Sequence, residues 1–298
     1  MKHFLENEAL RCGISEHGAE LKSIRDKAEN KEYLWQADPA YWNRTSPILF
    51  PFVGAVWEGV YRHEGKEYRM TQHGFARDMD FRVVKADQTS ILFEVSDTEE
   101  TRKVYPFAFG LQVGYRLEKT TVFVDWKVEN RNEGDMYYSI GAHPGFSVSS
   151  LNRSAFLLYD TEGKPLSGIK NRIVGSKSCI SDTTEIIPLK DGMLPLSVSL
   201  FDKDALVLED GQVCCVELCA LSDNGEIDPN AKKIAVTFDM PLVGLWSPPK
   251  MDAPFVCIEP WIGRCDREGF AGELAERDYE QKIKSGESFT TSYSIGIR

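Results

Sequence analysis

The chain reads as an all-β protein in which antiparallel sheets pack on one another. Three observations predict this. Apolar and polar residues alternate with a period of two, turn residues separate the alternating runs, and no βαβ rhythm or glycine-rich nucleotide loop breaks the pattern. In chain order, Thr45-Ser46-Pro47-Ile48-Leu49-Phe50-Pro51 is a stiff apolar strand candidate, and Ile91, Phe93 and Val95 mark one side of a second. Leu111, Val113, Tyr115 and Leu117 alternate with polar or small residues, as do Val122, Val124, Trp126 and Val128. The short Glu-Lys-Thr connection between those two runs predicts a hairpin. Met136 to Ile140 reads as one strand, and Leu151 to Pro195, rich in Gly, Ser and Lys, reads as long loops or an excursion hairpin. Ile234, Val236 and Phe238 and the run Phe255-Val256-Cys257-Ile258 complete the set. Helical signals are confined to a turn at Pro39–Asn43 and a turn or two between Gly272 and Lys284. With no repeat, linker or low-complexity tract, residues 1–298 are expected to form a single domain.

Composition narrows the function classes. The 298 residues are 42% hydrophobic and 27% charged, ordinary for a globular chain with a large core. A formal net charge of -11 argues against nucleic acid as partner, because a broad phosphate-neutralising surface is missing. No apolar run reaches the roughly 18 residues of a membrane span. The N-terminal Met1-Lys2-His3-Phe4-Leu5-Glu6 has no apolar core of a signal peptide, so a cytoplasmic location is expected. Seven cysteines, among them Cys214, Cys215 and Cys219 on one expected strand, form no metal-type C-x-x-C pair and read as reduced buried thiols.

Only five histidines occur, and two of them sit in stiff, aromatic-flanked segments. These are Gln72-His73-Gly74-Phe75-Ala76-Arg77 and Gly141-Ala142-His143-Pro144-Gly145-Phe146, and a third segment, Ile258-Glu259-Pro260-Trp261, carries a carboxylate. Gly and Pro hold the backbone in defined turns, and Phe and Trp supply apolar walls. Such settings hold a proton donor and acceptor in place for acid–base work on a neutral, polyhydroxylated substrate. Pro144 restricts His143 to extended backbone. Glu259 at the end of an apolar run is costly unless it is paired, for instance with Arg264, or used, and burial beside Trp261 would raise its pKa. Arg77 and Arg44 offer rigid donor forks to hydroxyls or an anion. Asp204 is a candidate sugar ligand or a turn aspartate, and Trp246 a stacking surface or a core residue. A zinc site on His73, His143 and Glu259 is conceivable from ligand type, but no H-E-x-x-H spacing supports it, so no metal and no cofactor is expected.

These segments resemble the aldose 1-epimerase, or galactose mutarotase-like, superfamily, and come closest to its LacX-like branch. The matching stretches are Ser46–Pro51, Gln72–Arg77, Gly141–Phe146, Gly244-Leu245-Trp246-Ser247 and Glu259-Pro260-Trp261-Ile262-Gly263-Arg264, in the family order. The resemblance implies a β-supersandwich with a sugar in a cleft on one sheet. It implies His143 as general acid, Glu259 as general base and His73 as a sugar ligand that polarises the ring oxygen. Arg44, Arg77, Asp204 and Trp246 would then bind substrate, a monosaccharide or its phosphate, with neither metal nor organic cofactor. The Gly-Arg-x-x-Asn-Arg-Ile type string of galactose mutarotases is replaced by Ser46–Gly54. The expected reaction is interconversion of aldose anomers. The competing expectation is a carbohydrate-binding module of the same fold without catalysis.

Overall fold

A computed structural model describes residues 1–298. Two large antiparallel sheets dominate it. The first has nine strands, running Met193–Pro195, Ser154–Tyr159, Cys215–Ala220, Ile234–Phe238, Ser288–Ile297, Thr121–Asn130, Phe109–Glu118, Ser90–Ser96 and Arg82–Ala86 across its width. The second runs Ile180–Pro188, Gly168–Val174, Leu206–Leu208, Leu242–Trp246, Phe255–Ile262, Ile140–Ala142 and Ile48–Leu49, and Gly145–Ser147 also pairs with Phe255–Ile262. A four-stranded meander from Lys2–Glu6 to Lys31–Glu32 and two short ribbons complete the sheets. No helix is long and apolar enough to cross a membrane.

Alternation explains how the large sheets meet. Val122, Val124, Trp126 and Val128 face inward from Thr121–Asn130, and Leu111, Val113, Tyr115 and Leu117 from the neighbouring strand, with Leu117 and Val122 in register across the hairpin. Val243, Leu245, Val256, Ile258 and Ile262 face the same 62-residue core from the second sheet. The intervening residues of that sheet, being the other half of a period-two pattern, point the opposite way. Leu242 and Trp261 belong to a separate small cluster there, and Phe255 and Cys257 to another. Every residue of Phe255–Ile262 is buried, so this strand has protein on both faces.

Several expectations are revised. The segment Leu151–Pro195 is not an excursion: Gly168–Val174 and Ile180–Pro188 form a hairpin, but it is the edge of the second sheet, and Ser154–Tyr159 lies within the first. Met136–Tyr138 and Ile140–Ala142 are separate strands, because Met136–Tyr138 leaves the sheet to pair with Gln281–Ile283. A six-residue α-helix, Glu99–Val104, opens with reciprocal Thr98 and Thr101 side-chain caps that the period-two reading passed over. Pro39–Asn43 is a turn, as expected, with the Trp42 N–H donating to Asp38 C=O at 3.0 Å. All seven cysteines are free thiols.

Glycines make room on the outer face of the second sheet. A Cβ at Gly244 would lie 2.4 Å from the Trp261 ring, and one at Gly141 would lie 2.6 Å from it. Gly244→Ala is therefore expected to displace Trp261 and to destabilise the fold by about 1–3 kcal/mol, read as a lower urea midpoint at unchanged m-value.

Candidate active site

Strand register builds the centre of the site. Gly141 pairs with Trp261 and Gly145 with Cys257, so the register continues unbroken through the gap between the two short strands. That continuity sets His143 opposite Glu259. On the other flank Glu259 is paired with Gly244, which has no side chain to cover it. His143 Nε2 lies 3.3 Å from Glu259 Oε2. Pro144, with no N–H to give, still accepts from the Ile258 N–H at 3.3 Å, which ties the break to the central strand.

His73 reaches the same place from a different element. It occupies a turn from Thr71 to Gly74 with φ of 68°, a conformation that a histidine tolerates only when it is held there. The holding contacts are its N–H to Gly54 C=O at 2.8 Å and its C=O from the Phe50 N–H at 3.3 Å. The next residue must be glycine, since a Cβ at Gly74 would sit 2.3 Å from the Phe50 carbonyl oxygen. The Gly54 N–H donates to His73 Nδ1 at 3.1 Å. A neutral His73 therefore carries its proton on Nε2, as a hydrogen-bond donor. Its ring meets that of His143 edge-on, with centroids 5.6 Å apart.

The three groups border a cavity of about 320 Å³ that Arg77, Asp204, Trp246 and Trp261 also line. Arg44 is not on the cavity wall. Its guanidinium donates to Asp78 at 2.8 Å, beside Arg77, whose Nη2 donates to the Gln72 carbonyl at 2.8 Å. Asp204, at φ of 74°, accepts from the Ala205 N–H at 2.9 Å, so it is both a turn aspartate and a cavity residue. Trp42 is the wall residue that the sequence reading missed. It stacks on His143 at 4.7 Å and meets Trp246 at 5.8 Å. No local signal in the sequence marked it.

Arg264, the suggested partner for Glu259, is engaged elsewhere, with Glu209 at 2.6 Å and Asp278 at 2.5 Å. Glu259 Oε2 and His143 Nδ1 have no hydrogen-bond partner, and neither has the Trp261 indole N–H. Burial, then the charge of Asp204, pushes the Glu259 carboxyl well above the carboxylate range, and the nearby Trp261 indole offsets this in small part without reaching hydrogen-bond geometry. Burial drives His143 down to about 3, helped by Arg77 and Arg44, and drives His73 down with help from His143 and the same arginines. The pair thus holds one proton, favoured on Glu259. Among metal-type donors the converging trio is His143, Cys257 and Glu259, with ligand atoms within 4.8 Å of one another; His73 is not part of it.

The model of the family described as aldose 1-epimerase matches residues 1–263. The chain belongs to that family. The chromosomal LacX protein of Lactococcus lactis subsp. lactis is 29% identical over 303 residues, covering 98% of both chains. A galactose mutarotase related enzyme from Lactobacillus acidophilus superposes with a TM-score of 0.90 at 33% identity, over 100% of this chain and 97% of the other. A galactose mutarotase-like protein from Lactobacillus casei ATCC 334 gives 0.90 at 30% identity over the full length of both. The fold is therefore the galactose mutarotase-like β-sandwich, in a family of sugar epimerases.

The site's polarity has a stability consequence. Glu259, raised in the folded state above its unfolded value, contributes stability below about pH 4.3 that is lost as pH rises through its folded pKa. His143 has the opposite sign, its contribution being lost as pH falls from about 6.5 toward its lowered value. Glu259→Gln is expected to melt no lower than the parent at neutral pH, gaining roughly 2 °C for each kcal/mol recovered, and to flatten the fall of Tm on the alkaline side. Differential scanning calorimetry across pH checks both.

Proposed function

We propose that this family member interconverts the α and β anomers of an aldose, with Glu259 and His143 as the proton-transfer pair. The observation that carries the reading is the 3.3 Å separation of a buried carboxyl oxygen and a buried imidazole nitrogen, neither hydrogen-bonded to the other with good geometry. The two oxygens that exchange protons in the reaction, the anomeric hydroxyl and the ring oxygen, are bonded to the same carbon. An acid and a base side by side on one sheet face match that demand. The cavity, near the lower end of the 300–1,000 Å³ that is usual for ligand pockets, suits one pyranose ring, and Trp42, Trp246 and Trp261 offer it apolar faces.

The chemistry uses the single proton of the pair. Entry of a sugar brings hydroxyl dipoles into the cleft, and the proton passes from Glu259 to His143 across the gap. The Glu259 carboxylate then takes the proton of the anomeric hydroxyl. The electron pair left on O1 forms the second C1–O1 bond of the aldehyde, the C1–O5 bond breaks with its pair going to O5, and His143 protonates O5. The His73 Nε2–H donates a hydrogen bond to that same oxygen as charge builds on it. Rotation about C1–C2 presents the other carbonyl face, and the reversed proton transfers close the ring with opposite configuration. Atoms and charge balance within the pair, so no cofactor enters a step.

Glu259→Gln and His143→Ala are each expected to lower kcat for anomer exchange by about 10²–10⁴-fold while the proteins stay folded. The parent rate is expected to be bell-shaped in pH. It falls on the acid side as His143 takes a second proton, with a midpoint displaced toward about 3, and on the alkaline side as Glu259 ionises above its ordinary range. NMR exchange spectroscopy of the anomeric protons measures both. Sugar binding with no acceleration in the parent would instead establish a carbohydrate-binding module.

The arginine wall favours a substrate with an anionic group remote from C1. Arg77 and Arg44 share one carboxylate, Asp78, and Arg77 Nε is buried without a partner. A bound phosphate would supply the missing acceptor and charge. kcat/KM is expected to be higher for a hexose 6-phosphate than for the free hexose. Arg77→Ala is expected to remove that preference through KM, with little change for the neutral sugar.

A further inference from the structure

Beneath the cleft wall lies a third chemistry-bearing side chain that the acid–base reading leaves unused. Cys257 is two residues before Glu259 on the same strand and therefore on the same sheet face, fully buried and reduced. Its sulfur, a Glu259 oxygen and a His143 nitrogen converge within 4.8 Å. Two further observations point to a ligand there. Glu259 Oε2 is enclosed and unpartnered in a residue only 1% exposed. The Oε2···Nε2 separation of 3.3 Å is also the spacing of two ligands on one tetrahedral zinc ion, since bonds of about 2.0–2.1 Å at the tetrahedral angle put their ends about 3.3 Å apart.

We propose that Cys257, from beneath the cleft wall, and His143 and Glu259, from the wall itself, form a binding site for a zinc-class divalent cation, and that the cation silences the enzyme by occupying both members of its proton-transfer pair. Thiolate, imidazole and carboxylate together select zinc, cobalt or copper over magnesium and calcium, which require oxygen ligands. Cys257, packed with Trp35 and Phe255, needs a side-chain shift to close the third bond of about 2.3 Å. The fourth position lies on the cavity side of Glu259 and His143, where water completes the tetrahedron. Binding displaces the thiol proton and the proton of the Glu259–His143 pair, so it is a proton-releasing equilibrium. His143 Nδ1 has no partner to orient the ring toward a metal, and loss of such support typically costs about 10–100-fold in affinity. The site is therefore a reversible inhibitory one and not a structural one. The site stands on the geometry alone; only its inhibitory consequence rests on the acid–base reading.

Titration of the metal-free protein with CoCl2 tests the site directly. One cobalt ion per chain is expected, with visible bands of tetrahedral intensity and a near-ultraviolet thiolate charge-transfer band, both erased by one equivalent of ZnCl2. Cys257→Ser is expected to lose the charge-transfer band and to weaken zinc by at least ~10-fold, whereas Cys215→Ser keeps both. Glu259→Gln, an independent probe should Cys257→Ser fail to fold, is expected to keep the thiolate band while weakening the metal. Absence of a cobalt spectrum at millimolar metal, or an unchanged spectrum in folded Cys257→Ser, overturns the site. Zinc is further expected to inhibit anomer exchange competitively with sugar, with recovery on adding EDTA. A cobalt spectrum without such inhibition would leave the site standing and overturn the proton-transfer roles of Glu259 and His143.

Discussion

The site depends on the register between the central strand Phe255–Ile262 and the interrupted chain from Ile140 to Ser147. Pairs on either side of the interruption, Gly141 with Trp261 and Gly145 with Cys257, belong to the same antiparallel register. A slip of one residue would exchange the faces of the strand, sending Glu259 into the 62-residue core and bringing Ile258 to the cleft. The apolar alternation Val256, Ile258, Ile262 forbids that slip, since it would bury a carboxylate among Leu and Val side chains. The same alternation that packs the sandwich therefore aligns the chemistry. Hydrophobic burial on one face provides the positional accuracy that proton transfer needs on the other.

That placement has a cost which the rest of the outer face is arranged to bear. The buried Glu259 carboxyl and His143 imidazole, with the partly buried imidazole of His73, lack much of the water that would stabilise their charged forms, and their neutral forms are favoured. Elsewhere the same chain buries charge in a different way. Arg277, close to fully buried, is met by Asp266 at 2.6 Å and Glu280 at 2.5 Å, and Arg264 by Glu209 and Asp278. Where the chain uses buried charge for structure it pairs the charge, and around His143 and Glu259 it withholds the partners. The unpaired polar atoms of Glu259, His143 and Trp261 at the cleft are thus a contrast internal to this molecule.

Much of this was legible in the sequence, for reasons that differ by element. The hairpin of Phe109–Glu118 and Thr121–Asn130 is written in ten-residue strands with clean alternation, so its pairing could be read at once. The second sheet was harder, because Phe255–Ile262 is buried on both faces and alternation vanishes where neither side meets water. Strands of two or three residues, such as Ile48–Leu49 and Ile140–Ala142, are too short to carry a period. His73, His143 and Glu259 were visible through the Gly, Pro and aromatic residues around them. Trp42 was not, because nothing local separates a cleft tryptophan from a core one. Arg44 was expected to line the cleft and bind substrate, whereas it is held back from the cavity wall by Asp78, a pairing that spans 34 positions and that no local pattern reveals.

The spacing Gly141-x-His143-x-Gly145 contains more than the motif reading took from it. With a period of two, all three residues share a face, and the two glycines flank the histidine on that face. Opposite them lie Trp261, Glu259 and Cys257 in the same order, and Gly244 closes the far side of Glu259. Each of the three glycines accommodates a neighbouring ring: Trp261 at Gly141 and Gly244, Trp42 and Phe255 at Gly145. Glu259 and His143 are thus aligned by one strand, Phe255–Ile262, whose outward side chains Cys257, Glu259 and Trp261 each meet a glycine on one flank, and a Cβ introduced at Gly141 or Gly244 would press on Trp261 in the cavity wall.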